Sequence, residues 1–380
     1  MVSRRTQRDL LDSFDRADGA WRLLMAAASL SRERLMAEDC RGAVERCGTD
    51  LDILRGHRVL LTGGTGFFGT WLLECCAWAM RERGLDCEIW ALSRDPEAFG
   101  RKAPHLARHP QIRLFAGDVR NFALPVARFG TIIHAAAEAS AKLNAEDPLL
   151  MIDTIVEGTR HVLELARTCG SPRTLFVSSG GVYGPQPAQL EHVTEGYLGG
   201  PDVTAPKNAY NEAKRFAELL CATYAARYDL DIKLARCFAF VGPFLPLDAH
   251  FAVGNFIRDG LQGAPIIIKG DGTPYRSYQY ASDLVVWLLA ILNRGQRCRP
   301  YNVGSAEAIS IADLAREVAA AFAPSPEVRV LSKSTPGVLP ERYVPSVDRA
   351  SQELGVANSV SLREAIRKTI AWHRSALVEA

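Results

Sequence analysis

Arg58-Val-Leu-Leu-Thr-Gly-Gly-Thr-Gly-Phe-Phe-Gly69 is the stretch on which the fold turns. Val59, Leu60 and Leu61 make a short apolar run with the length of a buried strand. Gly63, Gly66 and Gly69 follow, with Gly64 to spare, and Trp71, Leu72, Leu73, Cys75 and Cys76 continue as a helix. Strand, glycine turn and helix, in that order, predict a dinucleotide-binding turn. One glycine permits the tight turn, one lets backbone approach a pyrophosphate, and one lets helix lie close on sheet. The helix N-terminus offers unpaired N–H groups and a partial positive charge to the phosphates. The spacing is Gly-x-x-Gly-x-x-Gly, not the Gly-x-Gly-x-x-Gly of simple dehydrogenases. An ordinary tight strand–helix turn is the bland alternative.

Outward from this turn the pattern alternates. Strands are expected at Cys87–Ser93, Gln111–Ala116, Thr131–Ala137, Thr174–Ser178 and Asp231–Phe240, with helices at Pro148–Cys169 and Ala209–Tyr228. Apolar strands in strict β-α alternation imply a parallel sheet covered on both faces. After Gly242-Pro243 the alternation loosens into short strands such as Pro265–Lys269 and isolated helices at Ser282–Leu292 and Ile311–Phe322. The fold class is therefore α/β: a doubly wound parallel sheet of Rossmann type with a smaller α+β lobe. The expected division is a helical N-terminal extension over 1–56, a dinucleotide-binding domain over 57–243, and a substrate lobe over 244–380 interleaved with it. The extension reads as two or three short helices that serve packing or oligomerisation.

The 380 residues are 48% hydrophobic with a net charge of +2, a balance that leaves no footprint for nucleic acid or an anionic membrane. Nine cysteines lack Cys-x-x-Cys pairs and nearby His partners, which argues against structural zinc, gives no metal site, and fits a reducing, cytoplasmic setting. No apolar run reaches membrane-spanning length. Leu23–Leu30 follows Asp12, Asp15 and Asp18 and reads as an amphipathic helix, not a signal-peptide core.

Ligands of open parallel sheets bind at the carboxyl ends of the strands. The second strand ends in Ser93-Arg94-Asp95. Arg94, with Ser93 beside it, suits a ribose 2′-phosphate and tips the reading to NADP; Asp95 keeps NAD open if the strand ends later. Asp118 and Val119 follow the third strand, where a carboxylate either accepts from an adenine amino group or serves as a turn aspartate. Tyr210 and Lys214 stand four apart on one face of a helix, and an adjacent ammonium lowers a phenol toward neutrality. Lys214 is also placed to hold a nicotinamide ribose. Ser179, at the end of the fifth strand, would orient a substrate hydroxyl toward Tyr210.

Taken together, Thr62–Gly69, Gly117–Val119, Ser178–Gly184 and Tyr210-x-x-x-Lys214 resemble the extended short-chain dehydrogenase/reductases, specifically the NAD-dependent epimerase/dehydratase branch that acts on nucleotide sugars. The resemblance runs from about 57 to about 375 and leaves the extension outside. It implies Ser179, Tyr210 and Lys214 as catalytic residues. Gly63, Thr65, Gly66, Phe67, Phe68 and Gly69 match the pyrophosphate turn, Asp118 and Val119 the adenine contacts, and Ala135, Ala136 and Ala137 the wall of the cofactor cleft. Ser179, Gly180 and Arg276 would meet substrate, Arg276 gripping the diphosphate of a nucleotide sugar. A homodimer formed through two helices of the sheet domain is implied as well.

Departures narrow the chemistry. Dehydratases of this family carry Asp-Glu where Gly180 and Gly181 stand, and decarboxylases carry Glu at the second position. Glu138 is a remaining carboxylate that would have to act from across the cleft. Ala239 and Ile155 replace two customary asparagines. Hydride transfer at a sugar C4 carbinol is the simplest chemistry left. It points first to an NAD(P)-dependent 4-epimerase, then to an NADPH-dependent reductase of a 4-keto-sugar nucleotide, with a 4,6-dehydratase behind these and a non-catalytic dinucleotide sensor last.

Overall fold

The computed structural model describes residues 32–123, 128–137, 141–170, 172–249 and 251–379. Leu23–Leu30 and Glu138 lie outside the described residues. Helices in chain order are α1 over 32–47, α2 (Phe67–Glu82), α3 (Pro96–Lys102), α4 (Pro104–Ala107), α5 (Ala141–Glu146), α6 (Pro148–Thr168), α7 (Ala209–Tyr228), α8 (Ala252–Leu261) and α9 (Ala281–Arg294). Strands are β1 (His57–Thr62), β2 (Cys87–Ser93), β3 (Ile112–Ala116), β4 (Thr131–His134), β5 (Arg173–Ser179), β6 (Ile232–Cys237), β7 (Phe240–Val241), β8 (Ile266–Ile268), β9 (Tyr275–Arg276), β10 (Gln279–Tyr280), β11 (Pro300–Val303), β12 (Ile309–Ser310), β13 (Val328–Val330) and β14 (Arg342–Tyr343).

Seven strands build one parallel sheet in the order β11-β6-β5-β4-β1-β2-β3. From β1 the chain winds outward through β2 and β3, then crosses back to β4 and winds the other way. The crevice at the carboxyl ends of β1 and β4 is the switch point where doubly wound sheets take ligands. The strands are apolar because both faces are covered. On one face, Trp71 and Leu73 of α2 and Trp287 of α9 are fully buried; on the other, α6 and α7 pack through Ile155, Val162, Ala217 and Cys221. The sheet thus claims residues far along the chain: β11 is its edge, and α9 covers β5 and β6.

Two strands end earlier than their apolar runs. The Thr131–Ala137 run leaves the sheet after His134 because Thr62 captures it: its carbonyl accepts the Ala135 N–H at 3.2 Å and its hydroxyl the Ala136 N–H at 3.2 Å. The Asp231–Phe240 run breaks at Phe238, whose N–H goes to the Val303 carbonyl at 3.0 Å, and resumes as β7 beside β10.

The extension is bolted to the body by α1 and the 3-10 turn Gly48–Leu54. Ala43, Val44, Leu51 and Leu54 join the core beside α2 and α9. Arg46 reaches the fully buried Asp283 at 3.0 Å, and Asp50 accepts from Arg294 at 2.7 and 2.8 Å. Among the described residues no helix is long and apolar enough to cross a membrane, and no three potential metal ligands cluster.

Candidate active site

The glycine turn divides its labour. Gly63 has φ +70°, and a Cβ there would stand 2.6 Å from the Ala135 carbonyl oxygen. A Cβ at Gly69 would stand 2.3 Å from the Gly63 carbonyl oxygen. These two close the turn and seat the helix. Gly66 differs: the nearest atom to its Cβ position is 3.4 Å away, and as N-cap of α2 it has no side chain to satisfy the first helical amides. The N–H groups of Phe67, Phe68 and Gly69 are therefore left for an anion. The Phe68 ring is anchored edge-on against Phe240 at 4.8 Å, so backbone, not ring, faces the crevice. This cradle fits the diphosphate of a dinucleotide.

Beside it, Ser93 ends β2 with its hydroxyl 3.1 Å from that of Thr65 and accepts the Asp95 N–H at 3.2 Å. The Asp95 carboxylate caps α3, its Oδ1 accepting the Ala98 N–H at 2.8 Å. Thr65, Ser93, Arg94, Asp95, Ala98, Phe99 and Lys102 line an open pocket of 270 Å³. Lys102 was not singled out by sequence; α3 carries it round to this pocket. Burial holds its ammonium below the ordinary lysine value.

Asp118 takes the turn role, gripped by Arg120 through Nε at 2.9 Å, Nη2 at 2.8 Å and the backbone N–H at 2.9 Å. That guanidinium holds the carboxyl below its usual range. Val119 is buried against α6, where a Cβ at Gly158 would meet it at 2.7 Å. Ala135, Ala136 and Ala137 run half-buried over the turn. Behind them His134 is buried and pushed down to about 3, so it is neutral. The Thr62 hydroxyl accepts the Ala136 N–H and lies 2.7 Å from His134 Nδ1, and His134 Nε2 lies 3.1 Å from the Thr159 hydroxyl.

Ser179 stands at the carboxyl end of β5 and accepts the Gly181 N–H at 3.1 Å. Two phenols lie near its hydroxyl, Tyr210 from α7 and Tyr343 from β14, and Ser179 draws each downward. Burial is the larger effect and pushes Tyr210 up to about 12; Tyr343 is raised too. Asn144 fixes the start of α7, accepting the Tyr210 N–H at 3.0 Å and donating to the Lys207 carbonyl at 2.8 Å.

Lys214, one turn of α7 beyond Tyr210, is anchored to β5. The buried Lys214 ammonium donates to the Val177 carbonyl at 2.7 Å and lies 4.8 Å from the Phe176 ring centre. Burial brings it down to about 8. Arg276 reaches the cluster through β9, which pairs with β14, and its charge acts on Tyr343. Its Nη1 donates to the Tyr275 carbonyl at 2.8 Å, and Nη2 lies 3.7 Å from Glu341. Gly180 and Gly181 are filled in from behind: a Cβ at Gly180 would lie 2.7 Å from the Phe238 ring, and one at Gly181 2.1 Å from Asn211 Oδ1.

The family model described as "NAD dependent epimerase/dehydratase family" matches residues 59–304, more than half the chain. The chain belongs to the NAD dependent epimerase/dehydratase family. Among curated relatives, UDP-glucuronic acid decarboxylase 1 of Xenopus tropicalis is 30% identical over 321 residues, covering 84% of this chain and 73% of the relative. UDP-glucuronic acid decarboxylase 5 of Arabidopsis thaliana is 31% identical over 317 residues, covering 81% and 87%. Among solved structures, the UDP-glucose 4-epimerase of Thermotoga maritima with UDP-glucose superposes with a TM-score of 0.71 at 22% identity, over 84% of this chain and 99% of that one. A UDP-galactose 4-epimerase superposes with a TM-score of 0.67 at 25% identity, over 84% and 99%. The chain is thus an enzyme of an NAD-dependent family, and α1 lies outside the matched region.

Within that family frame, Tyr343, Asn211, Phe238 and Lys102 are the residues that sequence reasoning missed. Phe238 sits beside the quoted strand end, and Asn211 follows Tyr210 directly, so the paired glycines at 180 and 181 were a usable signal for what fills their space. Tyr343 lies far from any motif and is delivered by the β9–β14 pairing and by the bridge of its neighbour Arg342 to Gln186.

Proposed function

We propose that this enzyme works on the hexose of a nucleotide sugar by hydride transfer at C4, as a 4-epimerase. The observation that carries the reading is the filled space at Gly180 and Gly181. An aromatic ring and a neutral carboxamide stand there, so the described site has a proton-handling phenol and hydroxyl but no carboxylate for chemistry at C5 or C6. Tyr210 holds the proton of the C4 hydroxyl, Ser179 orients that hydroxyl, and Arg276 meets the diphosphate. The residues of the glycine turn, with Ser93, Arg94 and Lys214, would hold NAD(P), which when bound supplies the hydride acceptor or donor.

A reductase of a 4-keto-sugar nucleotide is the second reading. Its support is the pocket with Ser93, Arg94 and Lys102, two cations and a hydroxyl where a 2′-phosphate of NADP would lie, with the α3-capping Asp95 also on its lining. The reading also takes a homodimer formed through the outer face of α7.

A panel decides. The purified enzyme is given UDP-glucose, UDP-galactose, UDP-glucuronic acid, and a 4-keto-6-deoxyhexose nucleotide with NADPH, and products are followed by NMR. UDP-glucuronic acid belongs there because of the relatives' names. Interconversion of C4 epimers without net cofactor consumption supports the epimerase; one NADPH oxidised per product supports the reductase. Tyr210→Phe should abolish either while the cofactor still binds. Release of carbon dioxide, or no conversion at all with cofactor bound, overturns the proposal.

A further inference from the structure

The space over Gly181 is occupied by the side chain of Asn211. Asn211 is the residue after Tyr210 in the first turn of α7. Its Oδ1 lies 2.1 Å from the point where a Gly181 Cβ would stand, and the Ser179 hydroxyl lies 3.3 Å from the same point. The carboxamide is therefore pressed against the Ser179–Gly181 turn, next to the hydroxyl that Tyr210 and Tyr343 face. It is half-buried, and among the described residues its side chain has no hydrogen-bond partner. Asn144, close by on α5, shows the contrast: its carboxamide is used at both ends, on Tyr210 N–H and the Lys207 carbonyl, and so serves the fold. A carboxamide carries an acceptor and two donors, so both ends of Asn211 can serve a ligand beside the Ser179 hydroxyl. The opposite wall is the Phe238 ring behind Gly180, which offers no polar group.

We propose that Asn211 is a specificity-determining residue that binds a neutral hydroxyl of the sugar next to the reacting carbinol. A hydroxyl both donates and accepts, and a carboxamide answers both; a deoxy position leaves the amide unpaired. The inference rests on the nucleotide-sugar reading above. It assigns Asn211 to recognition, with proton transfer remaining on Tyr210 and Ser179.

The test is steady-state kinetics of the wild type, Asn211→Ala and Asn211→Asp, on the hexose nucleotide the wild type turns over best and on its deoxy analogue. Cofactor binding and thermal unfolding serve as checks on folding. Asn211→Ala should raise KM for the hydroxyl-bearing substrate by roughly tenfold to a hundredfold, the range for losing one such hydrogen bond, and leave kcat within a few fold. Its preference over the deoxy analogue should shrink toward unity. Asn211→Asp, of the same shape, should keep some preference. Unchanged KM and preference in Asn211→Ala, with the wild type active, overturn this inference alone. A fall in kcat with KM unchanged also overturns it, since Asn211 would then act on the proton-transfer groups. A wild type that binds cofactor but turns over no nucleotide sugar overturns the functional reading, and this inference with it.

Discussion

Lys214 Nζ donates to the Val177 carbonyl at 2.7 Å, so this buried ammonium is held by the sheet and not by the Tyr210 phenol. The consequence is a stability cost. A lysine titrates near 10.4 when unfolded, and here burial brings it down to about 8. Below about 8 both states are protonated and the folded protein carries the full penalty of a buried charge. Between the two values the unfolded chain binds more protons, so stability rises with pH through that window. Lys214→Met should therefore unfold at a higher temperature than the wild type at neutral pH, with the advantage shrinking from about pH 8 to about pH 10, and should be catalytically dead. Thermal unfolding across that range measures it. A variant less stable than the wild type at neutral pH would mean that the Val177 bond outweighs the burial.

Tyr210 and Tyr343 approach one hydroxyl, that of Ser179, and both are raised by burial, Tyr210 to about 12. Neither is ionised at neutral pH in the free enzyme. The pH profile of kcat/KM should accordingly show no inflection from a phenol below about pH 10. Tyr210→Phe should lose at least about a thousandfold in kcat, within the range of general acid–base catalysis. Tyr343→Phe, which leaves Ser179 and Tyr210 in place, should lose only about tenfold and keep its cofactor affinity. A Tyr343→Phe loss as large as that of Tyr210→Phe would exchange their roles.

Arg94 and Lys102 converge on the pocket beside Ser93. Each would contribute a charge-assisted contact to a 2′-phosphate and none to a 2′-hydroxyl. Arg94→Ala and Lys102→Ala should each weaken NADPH binding by roughly tenfold and leave NADH binding within a factor of about two, measured by fluorescence titration. Equal weakening of both cofactors would remove the argument for NADP.

Local chemistry was the legible part of this chain. The run Val59–Leu61 and the glycines behind it specify strand, turn and helix through packing constraints that neighbouring residues carry, and they appear as β1 and α2. Ser179 and Tyr210 likewise lie close together, because β-α alternation puts the end of β5 beside the start of the helix that follows it. What sequence could not supply were effects that depend on long-range approach. The phenol of Tyr210 rises instead of falling because burial, not the neighbour four residues on, dominates its surroundings. The capping of α3 by Asp95 went unread, because it depends on where the helix after β2 begins, at Pro96. Tyr343 reaches Ser179 across a pairing between segments about 70 residues apart, for which no periodicity gives notice.

The proposed dimer has a distinct signature on α7. Ala213, Ala217 and Cys221 turn inward against the sheet, while Phe216 and Leu219 stand 44% and 60% exposed on the other side. Two large apolar side chains three residues apart, on the helix that also carries Tyr210 and Lys214, form an exposed ridge that a second copy would cover. An arginine at Leu219 would have to be desolvated in that contact, at a cost of several kcal/mol, but would be harmless on a monomer. Leu219→Arg should shift the mass by light scattering from twice 41.6 kDa to that value, with the thermal midpoint of the monomer little changed. Because the first turn of α7 positions the catalytic phenol, the monomer should also lose part of its kcat. A wild type that already runs as a monomer at assay concentration would end the dimer proposal and leave the ridge as plain surface.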